Sequence, residues 1–214
     1  MPIPKIFYQS WCNKLNSTSK IPDMIFDRTI LNIPKDCIYK CFTLNEARKY
    51  LLEKWGKEYA ELFDNYKNIP HKVDLWRYCI LYDTGGTYMD ADCVLLSKID
   101  FLYEHTMVFT TNDRKDKDIF NGFIMVEKGN VVIKEMIDYM INVGNSLEDD
   151  YYYNCKELYT RLNKYIDIDI SINDYNSTIG NVCLLVDKRI QGRYYAFYKN
   201  TNVLVEKNSF YPYP

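Results

Sequence analysis

The chain has 214 residues, is 47% hydrophobic and 26% charged, and sets 29 acidic against 27 basic side chains for a net charge of −2. These values describe one ordinary globular domain, 1–214, long enough to bury a sizeable core. They exclude a general nucleic-acid binder, which shows a basic face, and no stretch nears the roughly 20 apolar residues of a membrane span.

The seven cysteines are irregularly spaced, with no CxxC, which predicts free thiols in a reducing compartment. Cys79 and Cys93 lie in apolar runs and read as buried thiols. The opening MPIPKIFYQSW has no apolar h-region, so a cytoplasmic location is expected and the sequons at Asn16 and Asn176 carry no meaning. Aromatic weight is unusual, with 21 Tyr and 16% aromatics. Genome composition is one source of it; stacking on bases and sugar rings is another.

In chain order, Lys5 to Trp11 reads as a first strand and 13–22 as a polar loop. Asp23 is placed to cap a helix running to about Leu31. Cys37 to Phe42 is a short strand. Thr43 to Trp55 reads as a helix, with Glu46 three residues after Thr43 as a capping box. Gly56 interrupts before a helix over 57–66. Pro70 opens the next helix, since proline costs little in a first turn. Val73, Trp76 and Ile80 share an apolar face there, and Asp74 and Arg77 are neighbours on another. Gly85 is placed to end that helix in a left-handed turn, before a strand over 87–89. A strand or turn follows at 93–96 and strands at 106–110 and 120–126, then helices at 130–142 and 152–165, then β-like runs at 182–186, 194–198 and 203–205. Alternating strands and helices in the first half predict an α/β fold with a mainly parallel central sheet flanked by helices. No repeat, low-complexity tract or linker interrupts it.

Three Asp-x-Asp triplets occur: Asp90/Asp92, Asp116/Asp118 and Asp167/Asp169. Asp116 and Asp118 sit in a charged stretch that reads as a solvated loop. Asp167 and Asp169 alternate with Ile166, Ile168 and Ile170, the period of a half-buried strand. Only Asp90 and Asp92 follow a helix, a glycine pair and an apolar strand. Carboxylates at a strand tip offer hard oxygen ligands to Mn²⁺ or Mg²⁺, and a cation there can hold a diphosphate and stabilise its departure. The two histidines, His71 and His105, read as structural or exposed.

The segments KIFYQSW, DLWRYCILYDTGGTYMDADC and FNGFIMVEKG resemble the sugar-nucleotide glycosyltransferases that share a DXD sugar-binding region, glycosyltransferase family 32, from Pro4 to about Glu127. The resemblance implies a GT-A type, Rossmann-like fold. It also implies a divalent metal, usually manganese, a nucleoside-diphosphate sugar donor (UDP-sugar favoured, GDP-sugar the alternative), a glycan or protein hydroxyl acceptor, and retention of anomeric configuration. Residue by residue, Asp92 resembles the direct metal ligand. Asp90 resembles the group that reaches the donor and supports the metal. Asp74 and Arg77 resemble a pair on the donor sugar's hydroxyls, Tyr8 a donor-side residue, and Tyr88 an aromatic beside the donor. Trp11 resembles the residue that stacks on the base, and Asn121 a polar group facing the reacting centre. Many members continue past a stretch like SFYPYP into a His- and Trp-containing segment, so no third protein ligand is assigned.

For Asp74 and Arg77 the simpler alternative is a surface ion pair worth under about 1 kcal/mol; for Trp11 it is a core aromatic, and Trp76 and Tyr78 read as core. Two other functions share these features: a non-catalytic sugar-nucleotide or carbohydrate-binding module, and another Mg²⁺- or Mn²⁺-dependent phosphoryl enzyme. Two-metal sites of the second kind usually gather more carboxylates than Asp90 has near it in sequence.

Overall fold

The computed structural model describes residues 2–11, 21–111, 117–146 and 149–205. The loop expected at 13–22, the Asn16 sequon, Asp116 and the SFYPYP stretch lie wholly or mostly outside them.

Strand β1 (Ile6–Ser10) enters after Pro4 and pairs in parallel with β2 (Ile38–Phe42). Helix α1 (Asp23–Ile30) lies between them in sequence; Pro22, not Asp23, holds its cap position, and no side chain caps it. Helix α2 (Leu44–Lys54) opens on the expected capping box: the Glu46 amide donates to Thr43 Oγ1 at 3.3 Å and the Thr43 amide to Glu46 Oε2 at 2.8 Å. Gly56, at φ 99°, separates it from α3 (Lys57–Asn65).

Helix α4 (Ile69–Thr84) departs from the amphipathic expectation. Every residue from Val73 to Leu81 is buried, because α4 packs against α2, α3 and α5 (Val131–Val143) as well as the sheet. Asp74 and Arg77 therefore lie inside the protein, which removes the surface-pair alternative. Trp76 and Tyr78 are core, as expected. Gly85 ends α4 at φ 65° and ψ −168°, a positive-φ extended residue rather than a left-handed helical one. A Cβ there would lie 2.6 Å from the Lys128 nitrogen and 2.8 Å from Pro4 Cδ, so the close crossing needs glycine.

The chain continues through β3 (Gly86–Met89), β4 (Val94–Leu95), a 3₁₀ turn (Asp100–Glu104), β5 (Met107–Thr111) and β6 (Ile119–Val126). After α5, capped by Asn130 Oδ1, come α6 (Tyr153–Leu162), β7 (Asp174–Ser177), β8 (Gly180–Ile190), β9 (Arg193–Tyr198) and β10 (Thr201–Val205). The strand order is β2-β1-β3-β6-β5-β8-β9-β10-β4, with β7 on β8.

Only β1/β2, β1/β3 and β5/β8 pair in parallel, so the sheet is mixed rather than mainly parallel. Short links from β5 to β6 and through β8, β9 and β10 force antiparallel neighbours, because a parallel return needs a long crossover. The strand expected around Ile166, Ile168 and Ile170 is absent: Asp169 Oδ1 accepts from the Ser171 amide at 2.8 Å and turns the chain, leaving Ile170 exposed.

Strand alternation splits the core in two. Tyr8, Tyr88 and Ile124 join α4, α5 and α6 on one face, while Phe7, Met89 and Phe123 pack on the other with Leu102 and Tyr103. Among the described residues no helix is long and apolar enough to cross a membrane.

Candidate functional site

Strand β3 delivers Asp90 to the end of the sheet. The Asp90 amide donates to the Gly122 carbonyl at 2.8 Å, and the Asp90 carbonyl accepts from the Cys93 amide at 3.1 Å. The strand thus turns at once, with Asp92 half-buried in the turn. Gln9, fully buried on β1, holds the turn from below: its Nε2 lies 3.4 Å from the Asp90 carbonyl, and its Oε1 accepts from Tyr39 at 2.8 Å.

Behind this turn α4 presents Arg77. Its Nη2 donates to Asp90 Oδ1 at 3.0 Å and to the Tyr88 hydroxyl at 3.3 Å, and lies 3.3 Å from Asp74 Oδ1; its Nη1 donates to the Asn121 carbonyl. The guanidinium also lies 4.2 Å from the Tyr88 ring centre. The Tyr88 hydroxyl donates to Asp90 Oδ1 at 2.7 Å and meets Ser10 Oγ at 3.2 Å. Asp74 accepts from Asn121 Nδ2 at 3.0 Å and, across from α6, from Asn154 Nδ2 at 2.7 Å.

Asp74 and Arg77 are 6% and 4% exposed at the side chain, against 29% for Asp90. Burial pushes the Asp74 carboxyl up, opposed by Arg77 and Asn154. Burial alone would lower Arg77, but Asp90, Tyr88 and Asp74 hold it well above its ordinary value, so it stays charged. Burial likewise raises the Tyr88 phenol, so it serves Asp90 as a donor. Even with Asp74 protonated, the carboxylates of Asp90 and Asp92 outnumber the single guanidinium, an excess that attracts a cation.

One oxygen of Asp90 is thus fixed by protein. The other faces Gly122, where an added Cβ would sit 2.5 Å from Asp90 Oδ2 and 2.2 Å from Phe120 Cζ. The site therefore combines a restrained carboxylate, Asp90, with Asp92 in the adjoining turn, a donor set suited to a hard divalent ion.

Arg77, Asp74, Tyr88, Asp90 and Asn121 are brought together as one connected group. Trp11 is 5% exposed and packs with Ile25 against Ala91, the residue between the two aspartates. Tyr8 is not brought in. It is buried with its hydroxyl 3.0 Å from Thr84 Oγ1, at the start of β3 and away from Asp90. Tyr88 has no exposed surface, and the two Nη atoms of Arg77 and both carboxylate oxygens of Asp74 bind protein groups, while Arg77 Nε is buried without a hydrogen-bond partner.

Gln9, Ser10, Gly122, Asn154 and Tyr151 are additional participants. Tyr151 is 57% exposed. Surrounding protein, then Asp90 and Asp74, push its phenol up to about 12. Gly122 was signalled by the FNG motif; Asn154, 80 positions from Asp74, had no local signal. His71 is wholly buried, its Nε2 3.3 Å from the Tyr151 carbonyl and its ring between Tyr66 and Tyr153. The described residues also hold a group of metal-ligating spacing elsewhere: His105, Asp174 and Cys183, whose donor atoms lie within 4.8 Å of one another.

Residues 16–109 match the glycosyltransferase sugar-binding region containing the DXD motif, a span that includes Asp74, Arg77, Tyr88, Asp90 and Asp92. An uncharacterized glycosyltransferase of Acanthamoeba polyphaga mimivirus is 27% identical over 187 residues, covering 81% of this chain and 72% of that protein. Inositol phosphoceramide mannosyltransferases 2 and 3 of Schizosaccharomyces pombe are 26% and 28% identical over 47% and 42% of this chain, which spans only 28% and 24% of their lengths. The solved PaToxG glycosyltransferase superposes with a TM-score of 0.56 at 14% identity, covering 76% of this chain and 69% of that one. Residues 16–109 thus carry the DXD sugar-binding region of glycosyltransferases on a mixed α/β fold of the GT-A type, and the relatives support a glycosyltransferase enzyme.

Proposed function

We propose that 1–214 acts as one catalytic domain that moves a hexosyl group from a nucleoside-diphosphate sugar, a UDP-sugar before a GDP-sugar, to a hydroxyl acceptor with retention of configuration. The observation that carries this is the restraint on Asp90: Tyr88 and Arg77 fix one of its oxygens at the turn that also carries Asp92, while the side chain stays partly exposed. Asp92 and Asp90 would hold Mn²⁺, or Mg²⁺ in its place. Bound there, the ion supplies neutralisation of the charge that gathers on a departing diphosphate.

The remaining work belongs to the chain. Arg77 keeps the Asp90 carboxylate aimed, so that no side-chain reorganisation is needed as charge develops. Asp74 and Asn154 hold Arg77 and Asn121, and Asn121 fixes the approach of β6. Arg77, Asp74 and Tyr88 thus act as positioning residues, not sugar contacts. Trp11 braces the turn from the side of Ala91, where a base would stack. In the transfer, the bond from the anomeric carbon to the phosphate oxygen breaks as the bond to the acceptor oxygen forms on the same face. The acceptor proton passes to the leaving diphosphate. Free buried thiols at Cys79, Cys93, Cys155 and Cys183 support a cytoplasmic setting.

A donor screen tests the reading. UDP-, GDP- and dTDP-sugars are incubated with Mn²⁺ and scored for free sugar, with Asp92→Asn as control. Turnover of a donor by the wild type and its loss in the variant are expected. Release of a sugar phosphate would instead indicate a phosphoryl enzyme, and binding without turnover a non-catalytic module.

A further inference from the structure

A cavity of about 440 Å³ opens at the other end of the sheet. The register places it: Met107, next to the cavity, pairs with Val126 and Val182, whereas Met89, next to Asp90, pairs with Phe123. From Asn121 to Val126 is five residues of β6, or roughly 17 Å at strand rise. The cavity is therefore separate from the Asp90 turn.

Its lining is of two kinds. Phe101 and Tyr198 form an apolar wall, their ring centres 5.1 Å apart and inclined by 37°. Asp174 and Asn176 on β7, Asn181 on β8 and His105 supply planar polar groups around it. The Asp174 carboxylate is held in place: Oδ1 lies 3.0 Å from His105 Nε2 and 3.1 Å from the Tyr198 hydroxyl, and Oδ2 lies 3.0 Å from that hydroxyl and 3.3 Å from Lys199 Nζ. A carboxylate has about four lone-pair sites; His105, the single Tyr198 proton and Lys199 take three of them, which leaves about one to accept from a ligand, at little ordering cost because the rotamer is already set.

A pyranose ring has a C–H face that packs on aromatic rings and a rim of hydroxyls that pair with planar carboxylate and amide groups. An aromatic wall beside fixed polar groups suits an amphipathic small ligand, and the volume lies in the usual range for such sites. Glu104 also lines the cavity, so Lys199 balances only one of two carboxylates and an anionic sugar is disfavoured. We propose that this cavity binds a neutral hexopyranose unit of an oligosaccharide, which makes a glycan chain the acceptor class of the transferase. The acceptor assignment rests on the transferase reading above; the binding does not.

A metal is the competing occupant, on His105, Asp174 and Cys183. Cys183 is fully buried, and burial drives its thiol away from the thiolate a metal requires. The saccharide is the better match.

The test is calorimetric titration of the full chain with mannotriose, maltotriose and cellotriose, a glucuronic-acid trisaccharide as charged control, and Zn²⁺. Wild type is expected to bind at least one neutral trisaccharide. Tyr198→Ala and the exposed Asn176→Ala should each weaken that binding at least tenfold with donor hydrolysis within twofold of wild type, and Asn176→Ala should do so with an unchanged circular dichroism melt. Binding to none of the neutral sugars, equal binding by Asn176→Ala, or Zn²⁺ binding with no sugar binding would each overturn the proposal. Loss of donor turnover with sugar binding intact would instead count against the transferase reading alone.

Discussion

The Tyr88 hydroxyl lies 2.7 Å from Asp90 Oδ1, and the Tyr88 ring lies under the Arg77 guanidinium that binds the same oxygen. A buried phenol and a buried cation thus converge on one carboxylate oxygen of a side chain that is itself partly exposed. Tyr88→Phe keeps the ring and deletes the donor. Loss of a supporting hydrogen bond of this kind costs a metal site about 10- to 100-fold in metal affinity or activity. The expected result is a raised Mn²⁺ requirement in donor hydrolysis with a stability loss of about 1 kcal/mol. An unchanged Mn²⁺ titration would show that Tyr88 only packs.

Arg77 is the one cation among Asp74, Asp90 and Tyr88. Arg77→Met should cost about 3–5 kcal/mol, because carboxylates are left buried without their partner. Adding Asp74→Asn should recover part of that loss in a urea-melt double-mutant cycle, since the two lie 3.3 Å apart. Additive losses would mean that the pair is not coupled.

Gly122→Ala places a methyl group 2.5 Å from Asp90 Oδ2. The expected outcome is loss of metal-dependent turnover out of proportion to any change in melting temperature. The hypothetical Cβ also meets the Phe120 ring at 2.2 Å, so Phe120→Ala in the same chain should restore fold stability but not turnover. Full recovery of turnover would move the clash from Asp90 to the phenyl ring.

Glu135 on α5 ties down the end of α6 and the segment after it. Its carboxylate meets Lys164 Nζ at 2.6 Å, the Tyr165 hydroxyl at 2.6 Å and Arg161 at 3.5 Å. Burial would raise this carboxyl, but Lys164 and Tyr165 outweigh it and hold it below the ordinary range. A depressed folded-state value means that the contribution is fully present above the unfolded value of about 4.3 and fades as pH falls through the folded one. Melting temperature should therefore drop less steeply below about pH 5 in Glu135→Gln than in wild type. Parallel curves would remove Glu135 from the acid response.

What was legible in the chain was local or carried by a compact motif. The Thr43 and Glu46 box needs only a spacing of three, and Asp90, Asp92, Asp74 and Arg77 lie within 19 consecutive residues. The all-round burial of α4 was not legible, because it depends on helices from both sides of the sequence closing over it. Asn154 arrives from α6, and Gln9 from β1, through tertiary contact alone. Ladder direction followed from connection lengths rather than strand composition. Ile166, Ile168 and Ile170 kept the strand period, but the Asp169 side chain turned the backbone. Tyr8 lies three residues before Trp11, but its hydroxyl meets Thr84 at the opposite end of β3.

The most direct test is a crystal of the chain with Mn²⁺ and UDP, examined for anomalous manganese signal. The account predicts a peak bridged by Asp90 and Asp92 and the diphosphate, lost in Asp92→Asn. A peak only at His105, Asp174 and Cys183, with both aspartates of the turn facing no ion, would contradict it.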